Sequence, residues 1–268
     1  MSFQYQFGFI GMGNMGYAIL KGLLHRYSPQ EAVFSARNRE KMADVTARTD
    51  VASAADNVQC AANSKYLVLA VKPQQFDTVI GEIRDVITEE QIIISIAPGI
   101  TTADLQERFG KKCRVVRAMP NTPALVGEGM TGACYDAAQF SDEEQETIRS
   151  LFESFGKLVI VEEKLMDALA CASGSSPAYV YVFIEALADS VVKYGIPRQT
   201  AYELVAQTVL GSAKMVLETG KHPGELKDMV CSPGGTTIEA VRSLERHGFR
   251  GCVMEAMRAC TEKAKRMV

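Results

Sequence analysis

The sequence predicts an α/β domain followed by an all-helical domain. Up to Val161, short apolar runs typical of buried strands alternate with amphipathic stretches typical of helices. After Glu162 the strand pattern stops and only helical patterns follow. Strands alternating with helices indicate a parallel sheet with right-handed crossovers. We therefore expect residues 1–161 to form the first domain and residues 162–268 to form the second.

The elements of the first domain follow from these patterns. Six apolar runs are predicted strands: Gln6–Ile10, Ala32–Ala36, Tyr66–Val71, Gln91–Ile96, Arg114–Met119 and Leu158–Val161. Three amphipathic stretches between them are predicted helices: Met15–Arg26, Gln74–Val86 and Thr101–Phe109. Ser141 and Glu144 have the spacing of a capping box, so another helix is expected from there to about Phe155.

The second domain opens with a hydroxyl directly before a proline. Ser176 before Pro177 favours an N-cap followed by the first helical position. The helix predicted at Ala178–Tyr194 is apolar nearly all round, so other helices or another subunit must bury it. Further helices are expected at about residues 198–219, 223–230, 237–246 and 250–266.

Composition and charge exclude several classes of protein. Of the 268 residues, 47% are hydrophobic and 23% are charged, which excludes disordered and fibrous proteins. A net charge of −3 argues against a nucleic-acid-binding protein. No apolar run approaches the roughly 18 residues of a membrane span, and the N-terminus lacks a basic leader. We expect a cytoplasmic protein without a membrane partner.

A glycine-rich turn is the first candidate site. Gly11-Met12-Gly13-Asn14-Met15-Gly16 follows the first predicted strand and opens a helix. In such a motif the first glycine allows a tight turn, the second lets the backbone approach a pyrophosphate, and the third lets helix and strand pack closely. The helix N-terminus supplies N–H donors for the anion. This pattern predicts a Rossmann-type dinucleotide-binding domain.

The choice of cofactor is predicted at the end of the second strand. A site for NAD carries an acidic residue about 20 positions after the glycines, whereas Ser35, Arg37 and Arg39 stand here without an acid. A hydroxyl and guanidinium groups suit a 2′-phosphate. We expect NADPH to be preferred, with NADH use left open and a solvated turn as the alternative.

Other turns after strands are expected to line the same crevice, because strand carboxyl ends border it in sheets of this kind. Lys72 is expected to lie beside the cofactor, and an ordinary surface lysine is the alternative. Pro73 is expected to end the strand in a rigid turn. Asn121, between Pro120 and Pro123, offers an amide where a nicotinamide is expected to reach. The predicted crevice residues are Asn57, Ala70, Val71, Lys72, Pro73, Ala97 and Asn121.

A second glycine turn precedes a helix in the C-terminal domain. Thr236 and Glu239 have capping-box spacing, which places Thr237 in the first turn. Glycines, hydroxyls and a helix N-terminus together suit a carboxylate ligand. The candidate substrate residues here are Ser232, Gly234, Gly235, Thr236 and Thr237; a well-capped helix without a ligand is the alternative.

Motifs for other chemistries are missing. Seven scattered cysteines form no C-x-x-C pair, which is typical of small buried residues in a reducing compartment. Three separated histidines lack metal-ligand spacing, so no metal site is expected. The sequence also shows no G-x-S-x-G elbow, P-loop or pair of catalytic carboxylates. We therefore expect a bound cofactor to supply most of the chemistry.

These motifs, in this order, resemble the Δ1-pyrroline-5-carboxylate reductases over essentially the whole chain. One difference is Ser176, where that family more often has glycine before the proline. The motifs that carry the resemblance are the turn from Gly8 to Gly16, Ala70–Pro73, Met119–Pro123, Gly174–Tyr179 and the stretch from His222 through Asp228 to Thr237.

The resemblance implies a specific reaction. A member of that family reduces the cyclic imine 1-pyrroline-5-carboxylate to L-proline with hydride from NADPH or NADH, the last step of proline biosynthesis. The resemblance implies that the loop from Ser232 to Thr237 holds the substrate carboxylate and that Thr237 hydrogen-bonds the ring nitrogen. Glu163 is expected near the substrate. The resemblance also implies that the helical domains form a homodimer and that dimers assemble into larger rings such as decamers.

Two other functions remain to be weighed. A β-hydroxyacid-type dehydrogenase has the same two-domain plan, but it requires a lysine inside the central helix, and this chain has none there before Lys193. A non-catalytic NADPH-binding sensor predicts cofactor binding without turnover and a degenerate carboxylate loop. The intact loop from Ser232 to Thr237 argues against the sensor.

Overall fold

The computed structural model describes residues 3–110 and 113–265. The chain forms two compact units. Among the described residues, one unit runs to Gly174 and includes residues 263–265, and the other is Ser175–Glu262. The segment 162–174 therefore packs with the first unit, where Met166 is buried against Met119 and Cys134. The functional division at residues 161 and 162 stays a prediction.

An eight-stranded sheet forms the centre of the first unit. Its spatial order is β3-β2-β1-β4-β5-β6-β7-β8, and every neighbouring pair is parallel except β6 with β7. The strands are β1 (Tyr5–Ile10), β2 (Ala32–Ser35), β3 (Ala52–Ser53), β4 (Ser64–Leu69), β5 (Ile92–Ser95), β6 (Arg114–Met119), β7 (Gly129–Cys134) and β8 (Gly156–Ile160).

The expectation of a purely parallel sheet is corrected at β7. This strand was not predicted, and it runs antiparallel to β6. Its sequence, GMTGAC, is made mostly of small residues and lacks the apolar run of a buried strand. The two-residue strand β3 was also not predicted. The six predicted strands are confirmed, with ends that differ by at most two residues.

Seven α-helices are described in the first unit. They are α1 (Asn14–Leu23), α2 (Arg39–Thr49), α3 (Asn57–Ala62), α4 (Phe76–Ile83), α5 (Thr102–Phe109), α6 (Asp142–Glu153) and α7 (Met166–Leu169). The predicted capping box of α6 is confirmed, because the Glu144 N–H donates to Ser141 Oγ at 3.2 Å and the Ser141 N–H donates to Glu144 Oε2 at 3.1 Å. The sequence analysis missed α2, α3 and α7.

Alternating residues of the central strands fill an apolar layer on each face of the sheet. Phe7 and Phe9 of β1 enter one layer and Ile10 enters the other. On β5, Ile94 enters the first layer and Ile93 the second. All five side chains are fully buried, and each such burial stabilises the fold by roughly 1.5–3 kcal/mol. The carboxyl ends of the strands are thereby held in fixed positions.

The second unit is helical. A π-helical segment, Ala170–Ser175, leads from α7 into the first of its helices. Those helices are α8 (Ser176–Lys193), α9 (Arg198–Thr219), α10 (Pro223–Val230), α11 (Thr236–Arg246) and α12 (Phe249–Lys265). Ala188 of α8 packs against Ala201 and Val205 of α9. Within the described residues, no helix is both long and apolar enough to cross a membrane.

The predicted N-cap at Ser176 is wrong. The chain is already helical before this residue, because the π-helical segment Ala170–Ser175 continues directly into α8. Ser176 is the first residue of α8, and Pro177 follows it inside the first turn. Pro177 therefore lies at the junction between the π-helical segment and α8, and it has no N–H to donate to the preceding turn.

Candidate functional site

A cleft of about 340 Å³ lies at the carboxyl ends of β1, β2 and β4. The strand order changes direction between β1 and β4, and open α/β sheets bind ligands at such a point. The cleft gathers predicted residues from distant parts of the sequence. Those that line it are Gly11, Met12, Gly13, Arg37, Asn57, Ala70, Val71 and Lys72.

The three motif glycines have the separate geometries that were predicted for them. Gly11 has φ +98°, and a Cβ there would lie 2.6 Å from the carbonyl oxygen of Ala70. A Cβ on Gly16 would lie 2.4 Å from the carbonyl oxygen of Gly11. A Cβ on Gly13 would meet no atom within 4 Å. Gly11 and Gly16 therefore serve the turn and the packing of α1, whereas Gly13 borders open space.

The N-terminus of α1 opens beside that space. Gly13 is its N-cap, no side chain caps it, and its first turn carries no acidic residue. Its N–H groups and positive dipole end are free of a competing carboxylate, an arrangement suited to an anion. Asn14, Met15 and Gly16 form this first turn. The gap at Gly13 and the uncapped amides fit the pyrophosphate of a dinucleotide.

The end of β2 combines an exposed cation with a buried hydroxyl. Arg37 is exposed and lines the cleft. Ser35 is only 2% exposed, and its hydroxyl donates to Asn57 Oδ1 at 2.7 Å. Asn57 in turn donates from Nδ2 to Glu82 Oε2 at 2.6 Å. In this structure the Ser35 hydroxyl orients Asn57 instead of facing the cleft.

Sequence analysis missed a second cation at this end of the cleft. Lys41 lines the cleft from α2, four residues after Arg37. The Asn38 side chain accepts from the Lys41 N–H at 2.9 Å and so caps α2. Asn38 stands before a run of good helix formers, a pattern that predicts a helix start; recognising it would have placed Lys41 beside Arg37.

Three of the other predicted cofactor residues do not line this cleft. Ala97 is buried in the apolar layer beneath the sheet. Asn121 donates from Nδ2 to the carbonyl of Ser173 at 2.9 Å and accepts from the Met130 N–H at 2.9 Å. Pro73 begins a short 3-10 turn directly after Lys72. A cofactor contact of any of these residues stays a prediction.

The Glu163 carboxylate is held by three hydrogen bonds within the first unit. It accepts from the Thr102 N–H at 2.8 Å, from the Thr102 hydroxyl at 2.6 Å and from the Arg117 guanidinium at 3.3 Å. Burial raises the pKa of Glu163, but these bonds outweigh burial and lower the pKa below its usual value. Glu163 is therefore a carboxylate at neutral pH. The predicted contact between Glu163 and the substrate stays a prediction.

The loop before α11 is a tight turn that opens onto a helix N-terminus. The Gly235 N–H donates to the carbonyl of Ser232 at 3.0 Å, and Gly234 has φ +68°. Pro233 and Gly234 at the two central positions are typical of a type II turn. A Cβ on Gly235 would lie 2.4 Å from Ser232 Oγ and 3.1 Å from the Ser232 carbonyl oxygen, so a side chain there would displace the Ser232 hydroxyl.

The predicted capping box at Thr236 is wrong. The N-cap of α11 is Gly235, and no side chain caps the helix. Helix α11 begins one residue earlier than expected, so Thr236 is its first residue and Thr237 its second. The placement of Thr237 in the first turn is confirmed. The uncapped amides beside two threonine hydroxyls suit a carboxylate ligand.

Comparison with known proteins identifies both parts of the chain. Residues 6–99 match the family model described as NADP oxidoreductase, coenzyme F420-dependent. Residues 163–267 match the model described as pyrroline-5-carboxylate reductase dimerisation. The first match contains the glycine turn and the cleft residues from β2 and β4, and the second contains the Ser232–Thr237 loop.

Several relatives match over nearly the whole chain. The pyrroline-5-carboxylate reductase of Escherichia coli (strain K12) is 44% identical over 262 residues, which covers 97% of each chain. The solved structure of a pyrroline-5-carboxylate reductase from Coxiella burnetii has a TM-score of 0.91 at 35% identity and covers 98% of each chain.

A second solved structure also matches over the full length of the chain. The Plasmodium falciparum pyrroline carboxylate reductase, solved with NADP bound, has a TM-score of 0.87 at 33% identity and covers 100% of this chain and 99% of its own. The full-length identity shows more than a shared fold. The chain belongs to the pyrroline-5-carboxylate reductase family.

Proposed function

We propose that this protein reduces 1-pyrroline-5-carboxylate to L-proline, the last step of proline biosynthesis. The observation that carries the proposal is the full-length match to pyrroline-5-carboxylate reductases, at 44% identity to the E. coli protein. Two local geometries support it: a cleft beside the glycine turn of the first unit and an uncapped helix behind a glycine turn in the second. NADPH, when bound, supplies the hydride.

Different residues of the cleft bind different parts of NADPH. The backbone at Met12 and Gly13 and the N-terminus of α1 receive the pyrophosphate, because no side chain occupies that space. Arg37 and Lys41 provide positive charge for the 2′-phosphate. Asn57, held by Ser35 and Glu82, presents its amide to the cleft in a fixed orientation.

The second glycine turn serves the substrate. The amides at the N-terminus of α11, with the hydroxyls of Ser232 and Thr236, hold the substrate carboxylate. Thr237 hydrogen-bonds the ring nitrogen. A cyclic imine is readily protonated near neutral pH, so a single positioned hydroxyl is sufficient where a strong general acid would be redundant. Glu163 supplies a negative charge that favours the protonated imine.

The protein is a homo-oligomer. We propose that the helical unit forms a dimer and that dimers assemble further into a ring such as a decamer. The unit leaves large apolar side chains exposed, Val182 at 65% and Met254 at 71% among them. An apolar groove on α8, α11 and α12 continues this surface around Phe183, Phe249 and Val253. A cytoplasmic location also stays a prediction.

The alternative functions predict different behaviour. A β-hydroxyacid-type dehydrogenase requires a lysine within α8, but the only lysine of α8 is Lys193, its last residue. A non-catalytic NADPH sensor would bind the cofactor without turnover. Its carboxylate loop would have no reason to keep the turn at Gly234 and Gly235 together with an uncapped helix N-terminus.

Loss of absorbance at the reduced-nicotinamide band tests the proposal directly. Purified protein is given 1-pyrroline-5-carboxylate with NADPH, and then with NADH in a parallel assay. We expect rapid cofactor oxidation that depends on the imine and is faster with NADPH. No turnover by folded protein that binds NADPH would contradict the proposal and favour the sensor, and turnover of a hydroxyacid instead would favour the dehydrogenase.

A further inference from the structure

Arg117 is a charged residue buried within the sheet. It lies on β6 opposite Ser95, the last residue of β5, and is only 3% exposed. A buried guanidinium is costly unless partners satisfy it. Its Nε atom has no hydrogen-bond partner among the described residues. The Nε atom of Arg114 on the same strand is likewise unpartnered within the described part of the chain, so what distinguishes Arg117 is the set of groups that its other nitrogens bind.

Its two terminal nitrogens bind two carboxylates of one short segment. One guanidinium nitrogen lies 3.3 Å from Glu163 Oε1, and the other lies 3.1 Å from Asp167 Oδ1. Glu163 begins a 3-10 turn and Asp167 lies in α7, which follows it. Arg117 thus links both the start of the 3-10 turn and the following helix α7 to β6.

The Glu163 carboxylate is also anchored from another direction. It accepts from the N–H and hydroxyl of Thr102, the first residue of α5. Contacts from β6 and from α5 together fix both oxygens of the carboxylate. Its side chain is nevertheless 35% exposed, so part of Glu163 stays accessible to a ligand.

We propose that Arg117 is a positioning residue for the reaction, acting through Glu163, whose carboxylate it holds fixed at the N-terminus of α5. The inference rests on the proposed function, in which Glu163 favours the protonated imine. A displaced carboxylate no longer stabilises that form well, because misplacement by about 1 Å can cost about a hundredfold in rate.

Arg114 on the same strand provides a matched control. It lies opposite Ile92, the first residue of β5, and so stands at the amino end of β6. It also pairs with a carboxylate, Glu144, at 2.6 Å, and its side chain is 22% exposed. Replacing either arginine removes a largely buried ion pair from β6, but only Arg117 holds Glu163.

The test compares Arg117→Gln with Arg114→Gln in the full-length protein. We expect both to lower the melting temperature. Only Arg117→Gln should lower kcat/KM for 1-pyrroline-5-carboxylate, by about tenfold to a hundredfold, with the Kd for NADPH within about twofold of wild type. Arg117→Lys retains one cation and should recover part of the loss. If Arg117→Gln fails to fold, Arg117→Lys carries the same comparison, with a smaller loss expected.

A double variant tests whether Arg117 acts through Glu163. If it does, Arg117→Gln should add little to the loss that Glu163→Gln causes alone, whereas independent effects would multiply. Multiplying losses, or an Arg117 variant with the kcat/KM of Arg114→Gln, would overturn the inference while leaving the proposed function intact. Absence of turnover by the wild-type protein would overturn both.

Discussion

The carbonyl oxygen of Gly11 lies 2.4 Å from the position that a Cβ atom would take on Gly16. Real Cβ atoms do not approach backbone this closely, so a side chain at residue 16 would force α1 away from the turn. A Cβ on Gly13 would meet no atom within 4 Å. Two glycines of one motif thus differ: Gly16 is required by the fold, whereas Gly13 borders open space that we propose a ligand fills.

Alanine substitutions should separate these two reasons. Gly16→Ala should lower the melting temperature, because overpacking of this kind typically costs about 1–3 kcal/mol. Gly13→Ala should leave the melting temperature unchanged but weaken NADPH binding by at least about tenfold, because the methyl group would occupy the space for the pyrophosphate. Thermal unfolding and cofactor titration measure both. Normal NADPH affinity in Gly13→Ala would exclude a pyrophosphate from this turn.

Arg37 should determine the preference for NADPH. A hydrogen bond to a charged group contributes about 1.5–3 kcal/mol, so Arg37→Ala should raise the KM for NADPH roughly 10- to 100-fold. The KM for NADH should change little, because NADH has no 2′-phosphate. Arg39→Ala is the matched control, since Arg39 is also exposed but does not line the cleft. An equal effect on both cofactors would contradict this assignment.

Thr237 should matter for turnover and not for cofactor binding. Thr237→Ala removes the hydroxyl proposed to hydrogen-bond the ring nitrogen, and kcat should fall by about a hundredfold or more. Thr237→Ser keeps a hydroxyl in the first turn of α11 and should retain most of the activity. The Kd for NADPH should match wild type in both variants. An unchanged rate in Thr237→Ala would remove Thr237 from the mechanism.

The apolar surface of the helical unit should hold the oligomer together. Val182 is 65% exposed on α8 and lines the apolar groove. A carboxylate at this position would have to be desolvated in a subunit contact, so Val182→Glu should shift the protein toward monomer. Val182→Ala, which stays apolar, should not. Light scattering coupled to size-exclusion chromatography measures the mass, and an unchanged mass for Val182→Glu would place the interface elsewhere.

The sequence predicted those elements whose residues carry their own pattern. The apolar run of β5 is buried on both faces, so it was found without knowledge of its neighbours. The strand β7 was not predicted, because its small residues have little strand preference of their own and instead fit the strands beside them. A Cβ on Gly156 of β8 would lie only 1.9 Å from the carbonyl oxygen of Gly129, so these strands pair through glycines.

The residues of the candidate site also divide into those with a local sequence pattern and those placed by tertiary contacts. The glycine turn and Arg37 are local features, and the structure places both at the cleft. The bond from Arg117 to Glu163 joins residues 46 positions apart, which no local pattern specifies. The Ser35 hydroxyl was expected to face a phosphate, but it bonds Asn57, which approaches from a helix that was not predicted. Tertiary contacts decided both cases.

Glu144 should make stability depend on pH below neutrality. Burial raises its pKa, but bonds from Arg114, Ser141 and Lys65 outweigh burial and lower it. A group whose pKa is lower in the folded state stabilises the protein above its unfolded value, about 4.3. That contribution is lost as the pH falls through the lower folded pKa. The loss should appear as a falling melting temperature below about pH 4.

Glu144→Gln isolates this contribution. Glutamine can still accept from the Ser141 N–H, so the cap of α6 survives while the charge opposite Arg114 is lost. At pH 7 and fixed protein concentration the variant should lose about 1–3 kcal/mol of stability, and the difference from wild type should shrink as the pH falls below about 4. Glu143→Gln, at an exposed neighbouring position, should change stability by at most about 0.5 kcal/mol at either pH. A difference between Glu144→Gln and wild type that stays constant from pH 7 to pH 3 would show that the ionised carboxylate does not stabilise the fold.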